Sequence, residues 1–83
     1  MAEVDQRALR AAAEVYSTAR REYEAATAAA DAAYERLQAS PETFEYRGEW
    51  LSARRHEAEV ASRLKHAEET YRLAGGYLSK SGE

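Results

Sequence analysis

The chain has 83 residues, no cysteine and a formal net charge of −3, which bounds it to one domain and excludes disulfides and thiolate metal sites. Of its apolar residues 19 are alanine, isoleucine is absent, and no apolar run has the length that spans a bilayer. Mixed charge of both signs neither demands nucleic acid nor mimics it. With alanine, glutamate and arginine abundant, the composition predicts an all-α chain with a thin hydrophobic seam.

The first predicted helix runs from about residue 3 to 38, with Glu3 and Asp5 in its first turn and Arg36 in its last, as the helix dipole favours. Leu9, Ala12, Tyr16, Ala19, Tyr23, Ala26, Ala30, Ala33 and Leu37 recur at alternating threes and fours. That is the a/d seam of a helix packed along another helix, with alanine at each of the d positions 12, 19, 26 and 33. A second apolar stripe, Val4, Ala8, Ala11, Val15, Ala25, Ala29 and Ala32, occupies c and g positions. One buried side does not need so wide an arc.

The one strong break is Ala39-Ser40-Pro41, where Ser40 reads as an N-cap and Pro41 as the first helical residue. The turn is therefore expected at about 39–41 and the second helix over about 41–75, with Glu42 and Glu45 in its first turn. Gly48 is a weak point, but one glycine costs a helix only about 1 kcal/mol, and a continuous helix is expected through it. Gly75-Gly76 is the expected stop, with Tyr77 and Leu78 folding back over the last turn. The domain so defined is 1–78, with 79–83 a frayed tail.

The second helix carries its own seam: Tyr46, Trp50, Ala53, Glu57, Val60, Leu64, Ala67, Tyr71, Ala74 and Leu78. A turn between Pro41 and Glu42 sets large residues of one seam against small residues of the other. Ala19 meets Leu64, Ala33 meets Trp50, and Ala12 meets Tyr71. The same register sets Glu22 beside Arg63, Arg36 beside Glu49 and Arg47 near Tyr34. Turn signal, size match and charge match together predict a two-helix antiparallel coiled-coil hairpin with an alanine-rich seam. The spare stripe and the small core predict that it dimerises into a four-helix bundle.

No residue set promises catalysis, a cofactor or a metal. His56 and His66 each precede a glutamate by three residues, the reverse of the Glu-x-x-His order that serves bundle metal sites. Gly75-Gly76 follows a helix rather than opening one, so it is no phosphate loop. Glu57 is the one charge on the second seam, facing small Ala26 with room to reach solvent. Asp5 reads as frayed surface. The chain is expected to be non-enzymatic and cytoplasmic, with no leader in Met1–Arg10.

Large apolar groups crowd the turn end. Phe44, Tyr46, Arg47, Trp50, Leu51, Arg54 and Arg55 form the expected contact surface for a partner protein, since exposed Trp, Tyr and Arg are enriched at binding hot spots. This end and the spare stripe are expected to compete, as one surface, between self-association and a partner. An alternative is nucleic-acid binding through Arg20, Arg21, Arg55, Arg63 and Lys65. In heptads and short turn, and in those alone, the layout resembles the Rop-type RNA-binding hairpins that dimerise into four-helix bundles. A second alternative is a purely structural homo-oligomer subunit. The Trp-x-Gly turn of small secreted hairpins does not occur; the order here is Gly48-Glu49-Trp50.

Overall fold

The structure, a computed structural model, describes residues 5–76. Two helices, α1 (Gln6–Ala39) and α2 (Phe44–Leu73), lie against each other as an all-α hairpin. Its Cα atoms span 62 × 25 × 13 Å, a single layer two helices wide.

α1 begins later than the acidic start suggests. Asp5 is not in the first turn but is the N-cap: its backbone is extended, and its Oδ1 accepts from the backbone N–H of Arg7 (3.0 Å) and Ala8 (3.3 Å). The carboxylate thereby satisfies two donors that the helix itself leaves unpaired, so Asp5 is neither frayed nor part of the seam. Glu3 and Val4 lie outside the described residues, as do Tyr77, Leu78 and the 79–83 tail.

The turn is also longer than expected. Ser40 closes α1, donating its N–H to the carbonyl of Arg36 at 3.1 Å, and α2 starts only at Phe44 with Thr43 as its cap. Between them the Ser40 hydroxyl lies 2.7 Å from the Thr43 hydroxyl and donates to Glu42 Oε1 at 3.1 Å, while Thr43 N–H donates to the Ser40 carbonyl. The Ser-Pro pair thus shapes a turn over 40–43 rather than capping α2. Of the two acids expected in the first turn of α2, Glu45 is there and Glu42 is in the connection.

At its far end α2 stops as glycine dictates. Gly75 adopts φ 101°, Gly76 N–H reaches the Tyr71 carbonyl at 2.9 Å, and Gly75 N–H reaches that of Arg72 at 3.1 Å. This is the Schellman arrangement, which pairs otherwise orphaned carbonyls. A Cβ on Gly76 would stand 2.5 Å from the Tyr71 ring, so both glycines are needed, one for its torsion and one for its bareness. That ring in turn stacks on Tyr16 of α1, with centroids 5.5 Å apart and planes within 6°.

Between the two ends the seams meet. Every seam position from Leu9 to Leu37 and from Tyr46 to Ala74 is buried or half-buried. The fully buried core is Ala12, Ala19, Ala26, Ala30, Ala33, Val60 and Ala67. The expected register is seen in two ion pairs, Arg36–Glu49 at 3.1 Å and Arg63–Glu22 at 3.9 Å. Both are half exposed and contribute little energy, so they report the alignment more than they enforce it. Glu57, expected to reach solvent, instead stays largely covered with its side chain 16 % exposed, and Arg54 comes to it at 3.0 Å.

Two substitutions test this packing. Ala26 is 4 % exposed, so Ala26→Leu should overfill its site and destabilise the fold by about 1–3 kcal/mol in urea unfolding. α2 is continuous through Gly48, where an added Cβ meets nothing within 4 Å. Gly48→Ala should therefore raise stability by about 0.5–1 kcal/mol, read as a higher unfolding midpoint.

Candidate functional site

The heptad seam divides the hairpin into two unlike sides. Bulky residues sit at a positions: Leu9, Tyr16, Tyr23 and Leu37 on α1, and Trp50, Leu64 and Tyr71 on α2. Small ones dominate d positions: the four alanines of α1, with Ala53, Ala67 and Ala74 on α2. In an antiparallel pair the d rows border the g flanks and the a rows border the e flanks. One side is consequently a channel floored by small residues, and the other is filled.

The open side holds a groove of about 890 Å³ floored by Ala12, Ala19, Val60 and Ala67, with Val15 and His66 on its walls. A second hollow of about 590 Å³ lies on the same side nearer the turn, between Ala29 and His56. Of the spare stripe, Val15 lines the larger hollow and Ala29 the second, and its described members Ala8, Ala11, Val15, Ala25, Ala29 and Ala32 are all exposed. Val15 keeps 59 % of its surface.

The aromatic end faces the other way. Phe44, Arg47, Leu51 and Arg54 fall on b and e positions, spaced by threes and fours along one face of α2. Phe44 is 84 % and Leu51 50 % exposed. Beside them the Tyr34 ring lies 5.7 Å from that of Trp50, tilted by 43°, and Gln38 Nε2 donates to the Tyr34 hydroxyl at 3.1 Å. Tyr34 thus takes Trp50 as its close ring neighbour, where Arg47 was expected. A hollow of about 390 Å³ opens between Ala30, Asp31, Tyr34, Trp50 and Arg54.

The expected contact residues are therefore only partly assembled. Phe44, Arg47, Leu51 and Arg54 share a face, with Arg55 one step further round the helix. Trp50 is half-buried and offers an edge, while Tyr46 belongs to the seam on the opposite, d-row side. Asp31 and Tyr34 complete the hollow and were not among the expected contacts. A helical projection of α1, separating its a-side from its d-side neighbours, is the signal that would have found them.

The basic residues do not gather on one face. Arg20 pairs with Glu24 at 3.6 Å on the filled side, where Lys65 lies at a similar level. Arg63 stands by Glu22 on the open side. Arg21 and Arg55 occupy f positions, on the outer backs of different helices. Among the described residues, no three His, Asp or Glu side chains are grouped as a metal ion would need. No helix among them is long and apolar enough to cross a membrane.

No protein-family model, curated protein or solved structure matches the chain.

The patch separates residues that hold the fold from residues free to bind. Trp50→Ala should cost about 2 kcal/mol of stability, since a half-buried ring gives up part of the loss seen for core aromatics. Phe44→Ala should change stability by less than about 0.5 kcal/mol, because the ring is almost wholly in solvent. Urea unfolding of the two variants side by side distinguishes them.

Proposed function

We propose that the chain is a non-enzymatic protein–protein interaction module. It is a rigid antiparallel coiled-coil hairpin that self-associates into a four-helix bundle and presents its aromatic and arginine-bearing turn end to a partner protein. The observation that carries this reading is Phe44, 84 % exposed and in line with Arg47, Leu51 (50 % exposed) and Arg54 beside the Tyr34–Trp50 hollow. Large exposed apolar groups next to aromatics and arginines have the composition of a binding hot spot. Phe44, almost wholly in solvent, adds little to the hairpin's own stability. Mechanism reduces to occupancy: a stiff rod holds the patch in place and the partner closes over it. That suits an adaptor, an assembly factor or a small inhibitor.

Two earlier readings carry less. Nucleic-acid binding through Arg20, Arg21, Arg55, Arg63 and Lys65 asks for one basic surface, and these residues are spread around the rod with carboxylates beside Arg20 and Arg63. A purely structural subunit leaves the exposed Phe44 without a purpose.

The patch is tested with a photo-crosslinking residue placed at position 44 or 51 in living host cells, with position 21 as the control. A discrete adduct with another protein is expected from 44 and 51, absent from 21, and lost when Arg47→Glu and Arg54→Glu are added. Equal labelling from all three positions, or adducts with the chain itself alone, overturns the reading.

A further inference from the structure

We infer that two copies join through their open, d-row sides with both hairpins pointing the same way, so that both turn ends lie at one end of the bundle. This deepens the self-association named above and rests on it.

The hairpin is a single layer two helices wide, so among the described residues no third element covers its open side. The floor of the open side is small and apolar, exposed Val15 stands on the wall of its larger hollow among polar residues such as Glu22 and Arg63, and the small d residues let another helix approach closely.

Charge then selects the occupant and its direction. The g flanks of α1 and α2 stack as levels along the groove: Val15 with Thr70, Glu22 with Arg63, Ala29 with His56, and Arg36 with Glu49. With two hairpins face to face and pointing the same way, α1 of each copy lies over α2 of the other. Glu22 of one copy then meets Arg63 of the other, and Arg36 meets Glu49. Each of these levels becomes a ring of four charges alternating in sign. The g positions of the other two levels, Val15 with Thr70 and Ala29 with His56, hold no carboxylate, and Glu14 lines the groove beside Val15 from an f position.

Pointing the copies in opposite directions spoils this match. At full overlap α1 faces α1 and α2 faces α2, which sets Glu22 against Glu22 and Arg63 against Arg63. Like charges brought together at an interface are a strong penalty. Sliding the copies until Glu22 meets Arg36 restores the signs. That offset leaves the larger groove, at the level of Ala12 and Ala19, uncovered, and shortens the shared length by about a third. Only the same-direction pairing both covers the 890 Å³ groove and alternates the charges.

The filled side stays outside such a bundle. On this reading self-association and partner binding use opposite faces rather than one shared surface. The assembled protein offers two copies of the Phe44 patch, related by a two-fold axis along the helices.

The chain lacks cysteine, so single spin labels can be placed cleanly. Labels on Glu42→Cys and, separately, on Arg10→Cys are measured by double electron–electron resonance, with mass in solution determined at tens of micromolar. A dimer with label distances below about 30 Å at both positions is expected, given interaxial spacings near 10 Å. A dimer with about 40 Å or more at either position, as helix rise requires for opposed copies, overturns the direction while leaving self-association standing. A monomer overturns both. Val15→Glu should halve the mass without loss of helicity, because Val15 is exposed in the single hairpin. An unchanged mass there rules out the open side as the interface. The crosslinking at position 44 reports on the partner patch independently of all these outcomes.

Discussion

The hairpin exists in this form because α1 gives up bulk along one row. Ala12, Ala19, Ala26 and Ala33 each stand where a leucine would hold α2 away, and each is at most 8 % exposed once α2 is in place. Close approach lets Val60 vanish from solvent with 1 % exposure and brings the a-row rings of Tyr16 and Tyr71 into a stack. The cost is a poor core. An alanine removes little apolar area from water, and among the described residues six of the seven that are fully buried are alanine. Stability must then be gathered from half-buried aromatics, helix propensity and well-made helix ends.

Those ends are built from different materials. At the turn, hydroxyls of Ser40 and Thr43 and the carboxylate of Glu42 hold four residues in shape, with the Arg36–Glu49 pair just inside. At the open end Gly75 and Gly76 bend the chain back against Tyr71, and Tyr71 stacks on Tyr16. Among the described residues one buried side chain is left wanting: the Thr27 hydroxyl, beside the middle of the seam, has no hydrogen-bond partner. A seam this narrow leaves a β-branched polar residue at its edge neither fully wet nor fully bonded.

Periodicity made the seam and register legible before any coordinates. Three-four spacing is insensitive to small errors at helix ends, and the size match and two ion pairs agreed on a single pairing of residues. The ends were harder because one residue type serves several caps. Asp5 suits a first turn by charge, yet caps by hydrogen bonding once its backbone is extended. Ser40 before Pro41 has the form of an N-cap, yet it ends the preceding helix, and Thr43 takes the cap position of α2. Tyr46 and Phe44 look equivalent in a list of apolar residues, but the helix turns them to different sides. What separated the two faces was the difference between a and d rows, which a count of apolar residues erases.

The connection over 40–43 has a kinetic consequence. Across the hairpin each contact joins residues whose separation along the chain grows steadily with distance from the turn. Arg36 and Glu49 are 13 apart, whereas Tyr16 and Tyr71 belong to opposite ends of the sequence. Loop closure costs more entropy for each longer span, so pairing is cheapest beside the turn and proceeds outward from it. Loop closure alone thus favours starting at the turn, and it costs the tyrosine stack, farthest from the turn, the most.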